Sequence, residues 1–287
     1  MESKNKLKGI MFILLAAFGF SLMTFFVRIS GDLPTMQKAF FRNFIAMFVS
    51  IVALIKSKEK IEFKPGTRVD LFMRCAFGTL GLIANFYAVD KLGIADANML
   101  NKLSPFFAII MSIFILKEIP TKFDVSTTLI AFIGVLFIIR PTGSFTDVFP
   151  ALIGLLGGFG AGMAYTFVRK LGKKNVATPL IVFCFSCFSC IVTLPFFIAQ
   201  YKPMSSVQLL CLILAGVCAS LGQFSITTAY KYAPAKEISV YDYTQVIFAA
   251  LLGMAFLGEV PVVLSIVGYI IIIGIAILRW RKNLKES

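Results

Sequence analysis

The chain has 287 residues, of which 59% are hydrophobic and 15% charged, with a net charge of +14 and no histidine. A soluble domain carries about a quarter charged residues, so this composition excludes a water-soluble globular protein and points to a polytopic membrane protein. The missing histidine removes histidine-ligated metals, histidine-dependent triads and histidine proton relays. The basic residues cluster in short loops between apolar runs, which is a membrane-orientation signal and not a nucleic-acid footprint.

Ten apolar segments of about 20 residues, the length a ~30 Å hydrocarbon core requires, follow one another along the chain. The first, 9–28, comes after a basic start (Lys4, Lys6, Lys8) and looks like a signal peptide. Its apolar run continues to Val27, long enough to span, so it reads as a retained first helix. The second, 37–55, holds Arg42. The third, 69–89, aligns Gly78, Gly81 and Asn85 on one helical face. The fourth, 94–116, places Asn98, Asn101, Lys102 and Pro105 at i, i+3, i+4 and i+7, a single polar stripe on a helix. Such a stripe turns toward a bundle interior or a water-filled cavity. The fifth is 123–140. The sixth, 149–169, carries Gly158, Gly162 and Tyr165 on one face. The seventh, 178–199, holds Cys184, Cys187 and Cys190. These read as small, soft packing residues, because cysteine clusters that hold metal use a loop to wrap it. The eighth, 207–230, aligns Gln223, Thr227 and Tyr230; the ninth, 236–257, repeats the polar start of the fourth with Tyr241, Asp242 and Gln245; the tenth is 262–280.

With the N-terminus inside, most of the 28 Lys and Arg residues fall in the tail, the alternate loops and the C-terminal end. Both termini are therefore expected to be cytoplasmic. The halves also repeat. An offset of 141 residues superposes Phe18-Gly19 on Phe159-Gly160, Phe26-Val27-Arg28 on Phe167-Val168-Arg169, Leu80-Gly81 on Leu221-Gly222, and Leu116, Glu118 and Pro120 on Leu257, Glu259 and Pro261. Residues 1–141 and 142–287 thus form two units of five spans. Five is odd, so the second unit enters the membrane inverted, an architecture common in secondary transporters.

A five-span unit with a glycine-bearing first helix, an arginine in the second (Arg42 in AFFRNF) and a fourth helix closing on Leu-x-Glu (116–118 and 257–259) resembles the EamA-type members of the drug/metabolite transporter superfamily. The resemblance covers nearly the whole chain, twice. It implies an all-α fold of ten transmembrane helices and a transporter, with a cavity walled by spans one, three, four, six, eight and nine. The second half departs from the first where Phe183 stands at the place of Arg42 and Val246 at that of Pro105, so function is expected where the halves differ.

Lys102 lies ~12 Å into its helix at 1.5 Å per residue, where it either snorkels to the surface or faces the cavity. Asp242 aligns with Asn101, one position from Lys102, so two facing repeat helices can bring the pair together. An intramembrane carboxylate is by default a functional hypothesis, and Asp242 is the proton-coupling candidate; a purely structural pair with Lys102 is the alternative. Asn85, Asn98, Asn101, Lys102, Tyr165, Gln223, Tyr241, Asp242 and Gln245 are the candidate substrate-binding residues. Arg42, Glu118 and Glu259 are candidate structural or gating residues. Each glutamate sits at a helix C-terminal end, unfavourable for the helix dipole, and so calls for a donor partner.

The expectation is a transporter, not an enzyme, that moves a small polar metabolite, an amino acid or related zwitterion or anion, by alternating access across the cell membrane, most simply as an exporter. Its partners are that small molecule and the lipid bilayer, with no nucleic acid, no cofactor and no metal, and a monomer or weak dimer as the assembly. A nucleotide- or cofactor-like solute or a drug is the rival within the class. An integral membrane enzyme is the remote one, and the chain has no G-x-S-x-G or H-E-x-x-H motif to support it.

Overall fold

A bilayer offers no water to backbone N–H and C=O groups, so each spanning segment closes its hydrogen bonds within itself. The computed structural model, which describes residues 2–57, 64–92, 94–139, 148–258 and 260–285, is accordingly helical, with no strand among the described residues. The helices are α1 (Glu2–Ile29), α2 (Thr35–Lys56), α3 (Thr67–Leu92), α4 (Ile94–Asn101), α5 (Ser104–Leu116), α6 (Lys122–Ile139), α7 (Val148–Lys173), α8 (Thr178–Ala199), α9 (Ser206–Tyr232), α10 (Ala235–Ile238), α11 (Thr244–Leu257) and α12 (Val263–Lys285). A 3-10 turn, Ser239–Tyr243, separates α10 from α11. Among the described residues ten segments are long and apolar enough to cross a membrane. Their outer faces expose Ile55, Phe114, Ile198 and Ile270, as a lipid-facing perimeter does.

The fourth and ninth spans are not the continuous helices that their apolar pattern suggests. The stripe of Asn98, Asn101, Lys102 and Pro105 is interrupted: α4 ends at Asn101 and α5 begins at Ser104, leaving Lys102 in the gap. Pro105 is the cause. It has no N–H to donate back and disfavours helical backbone in the residue before it. The chain answers with tight bonds, Leu103 N–H to Leu100 O at 3.2 Å and Phe106 N–H to Leu103 O at 3.0 Å. The ninth span breaks without a proline, through the 3-10 turn, where the Thr244 hydroxyl donates to Tyr241 O at 2.7 Å.

Glycines let the halves interlock. A Cβ on Gly19 of α1 would sit 2.8 Å from Gly222 N of α9, and one on Gly160 of α7 would sit 2.8 Å from Gly81 Cα of α3. Only small residues permit such an approach between membrane helices. The 141-residue offset carries Gly19 to Gly160 and Gly81 to Gly222, so each contact is the image of the other. The two five-helix repeats are therefore intertwined, each first helix packed on the third helix of the other repeat.

Candidate functional site

The two helix breaks meet inside the bundle. Lys102 donates to Gln245 Oε1 at 2.7 Å and to Asp242 Oδ2 at 3.1 Å, with Asp242 O at 3.5 Å. Lys102 is 8% and Asp242 6% exposed, so the ammonium turns inward and does not snorkel. The breaks favour both charges. Lys102 follows the C-terminus of α4, where the helix dipole attracts a cation, and Asp242 precedes the N-terminus of α11, where it attracts an anion. Gln245 ties the cluster to the first span, its backbone carbonyl accepting from the Ser21 hydroxyl at 2.8 Å.

Tyr165 of α7 stacks on Tyr230 of α9, with ring centroids 5.0 Å apart. Its phenol lies within electrostatic range of Asp242, Arg74 and Arg42, which joins the lysine–aspartate pair to two arginines in one polar region. Arg74 of α3 is 2% exposed, donates to Gln223 Oε1 at 3.2 Å and lies 4.1 Å over the Phe185 ring. Gly78, one turn on, leaves the room this guanidinium needs, because a Cβ there would collide with Arg74 Nη1 itself. Arg42 of α2 lies 6.0 Å from the Phe20 ring centre. The Nε atoms of both arginines are buried without a hydrogen-bond partner.

The sequence-derived residues divide. Lys102, Asp242 and Gln245 come together, Gln223 meets Arg74, and Tyr165 lies within electrostatic range of Asp242, Arg74 and Arg42. Asn98 and Asn101 are half-buried on the last turn of α4 beside the lysine, Asn98 O accepting from Lys102 N–H at 2.9 Å. Asn85 lies about 16 Å along α3 from Arg74 at 1.5 Å per residue, against Gly157 of α7, whose neighbour Gly158 faces Leu100 and Asn101. Tyr241 is buried in the hydrophobic core, within electrostatic range of Arg279. Arg74 went unremarked in the sequence, although a charge inside the apolar run 69–89 was the available signal. The second span, which supplies Arg42, joins the six expected to wall the region.

Glu118 has its donor partners: Arg169 Nε at 3.1 Å and Lys173 Nζ at 2.7 Å. Glu259 lies outside the described residues. The Glu118 pairs belong to a set at the end of the bundle that carries both chain termini. Asp70 pairs with Lys170 at 2.9 Å and Lys174 at 2.6 Å, and Asp124 with Arg279 at 2.8 Å. Every one of these joins the first repeat to the second. At the opposite end the contacts between repeats include neutral groups. Gln37 exchanges two bonds with the Lys202 backbone, at 2.9 and 3.0 Å, and Gln208 donates to Ser30 O at 3.1 Å.

Free cysteines account for all six thiols, and no cluster of metal-ligating side chains occurs among the described residues. The arrangement suits reversible binding of a charged solute between two repeats, with closure available at either end.

Comparison with known proteins agrees with this architecture. The pattern of the EamA-like transporter family matches residues 7–140 and again 148–280. The chain is 31% identical to the Pseudopaline exporter CntI of Pseudomonas aeruginosa over 279 residues, 96% of this chain and 97% of the relative. It is 28% identical to Solute carrier family 35 member G1 of Mus musculus over 300 residues, 96% of this chain and 80% of that one. A solved crystal structure at 17% identity superposes with a TM-score of 0.80 over 96% of both chains, a likeness of fold. With its family pattern repeated in each half, the chain belongs to the EamA-like transporter family and is a multi-pass membrane transporter of the drug/metabolite superfamily.

Proposed function

We propose that the protein moves a small carboxylate-bearing metabolite, an amino acid or a related zwitterion or anion, across the cell membrane by alternating access. The observation that carries this reading is the Lys102–Asp242–Gln245 cluster, 2.7–3.1 Å across its side-chain bonds, at the meeting of two broken helices from opposite repeats. Half-helix ends at a repeat interface are where transporters of this architecture hold ionic solutes. Arg42 and Arg74, close by, supply the positive charge a carboxylate needs. The Pseudopaline exporter supports export as the direction. The bias of basic residues toward the terminal end supports a cytoplasmic orientation for it, with the halves divided near residue 141.

In this reading Asp242 is the proton-coupling group. It releases Lys102 when protonated, and the freed ammonium becomes available to the solute carboxylate. The first test is a thermal-shift screen of purified protein against amino acids, carboxylates, cationic drugs and nucleotides. A ligand that binds only the folded state at 100 times its Kd stabilises by about 2.7 kcal/mol. A shift confined to carboxylates, abolished in Lys102→Ala and retained in Asp242→Asn, which leaves the lysine free, supports the reading. Shifts that survive Lys102→Ala move the site elsewhere. In proteoliposomes, transport by Asp242→Asn should lose its dependence on a proton gradient; retained dependence would remove Asp242 from coupling.

A further inference from the structure

Among the described residues five carboxylates are already held by cations, Glu237 by Lys6 at 3.7 Å among them. Asp242 is held by Lys102, Glu118 by Arg169 and Lys173, Asp70 by Lys170 and Lys174, and Asp124 by Arg279. Arg42 and Arg74 are left over. Asp70 stands one turn from Arg74 on α3, yet its two oxygens point to Lys170 of α7 and Lys174 just beyond it, at 2.9 and 2.6 Å. Arg74 finds only the neutral amide of Gln223, and each arginine keeps a buried Nε with no partner. The two guanidinium groups also repel one another. Aromatic faces beneath both, Phe20 and Phe185, soften the burial of charge but supply no acceptor.

Two like charges inside a membrane protein without a counter-ion are costly, and such residues mark solute pathways. The missing partner therefore has the charge of a dianion. A guanidinium presents a planar fork of donors that fits a carboxylate in two parallel bonds. Each arginine can take one such group.

We propose that the transported solute carries two anionic groups, one for Arg42 and one for Arg74, so that the site selects dicarboxylates and other dianions over single carboxylates. This rests on the carboxylate reading above and sharpens it. While the Lys102–Asp242 pair is closed it can take an ammonium or hydroxyl on the same molecule, and Lys102 joins the arginines in holding the carboxylates only when Asp242 is protonated. That adds amino-dicarboxylates to the accepted class.

The test uses matched probes on the purified full chain: succinate against butyrate, glutamate against glutamine, with lysine and adenosine as outsiders. Affinities are read by thermal shift and by calorimetry. The wild type should bind succinate and glutamate at least tenfold more tightly than their singly charged partners. Arg42→Gln and Arg74→Gln should each collapse that ratio by about tenfold to a hundredfold, the value of a lost charge-assisted contact. Arg74→Lys, which keeps the charge, should restore part of it. A purely structural arginine would change stability and leave the ratio alone. If an Arg→Gln protein does not purify, the Arg→Lys proteins still report the ratio. Equal binding of butyrate and succinate overturns the dianion proposal and leaves the carboxylate reading standing. Binding of lysine or adenosine with none of the carboxylates overturns both.

Discussion

Lys102 directs its ammonium to Asp242 and Gln245 inside the protein, at 3.1 and 2.7 Å, and away from both membrane surfaces. Removing either member of such a pair leaves a lone buried charge and costs about 3–5 kcal/mol, whereas replacing both with apolar side chains of similar volume is often neutral. Lys102→Met and Asp242→Leu should therefore each lower the unfolding free energy by about 3–5 kcal/mol, while the double variant stays within about 2 kcal/mol of wild type. Thermal unfolding of the four proteins checks this, and additive losses would count against the pair. Both residues were legible in the sequence because a charge within an apolar run stands out. Arg74 was equally visible in principle, but its meaning comes from Gln223, 149 residues away. No local pattern links those two positions. Nor does periodicity separate Tyr241, buried in the core, from its neighbour Asp242.

At the scale of elements, hydropathy marked all ten spans and gave no sign of the breaks. Periodicity counts apolar positions, and these continue on both sides of Lys102. Pro105 was the clue in the fourth span; the ninth reaches the same shape with Val246 at that place, through a 3-10 turn. Pro105→Ala removes the obstacle to a continuous helix, which favours helix by about 3 kcal/mol at that position. The variant should fold, and its affinity for the carboxylates that bind wild type should fall at least tenfold as Lys102 loses its place in the gap. Unchanged affinity would mean that the gap is not what positions the lysine. The glycine contacts give a second test. In an ordinary helix Gly→Ala stabilises by up to about 1 kcal/mol. Here a Cβ at Gly19 or Gly160 would come within 2.8 Å of backbone in the partner helix, and overpacking of that kind costs about 1–3 kcal/mol. Gly19→Ala and Gly160→Ala should both destabilise, and by similar amounts because the contacts are images of each other; thermal unfolding decides.

For the whole molecule, the 141-residue offset visible in the sequence became the interlocked packing of the two repeats. What the sequence concealed was which charges meet across them, since loop lysines serve equally for orientation and for pairing. The offset that relates Gly19 to Gly160 also carries Arg28 to Arg169 and Glu118 to Glu259. The Arg169–Glu118 contact at 3.1 Å thus names, by register alone, Arg28 and Glu259 as the corresponding pair of positions at the opposite end. Glu118→Gln should weaken closure at the terminal end. Amide hydrogen exchange near the C-terminus of α7 should then rise severalfold relative to wild type, while exchange around Gln37 stays as it was. A uniform rise along the chain would indicate general destabilisation instead.

The two ends also answer differently to dissolved salt. Carboxylate–lysine contacts at the terminal end include partly exposed partners, Lys170 and Lys173. Screening reaches such pairs, its length falling from about 8 Å at physiological ionic strength to about 3 Å at 1 M. The glutamine–backbone clasp at the other end carries no net charge to screen. The electrolyte in the compartment facing the terminal end therefore loosens these pairs. In proteoliposomes, raising potassium chloride on that side should change the turnover rate, and Glu118→Gln, which already lacks the screened carboxylate, should respond less.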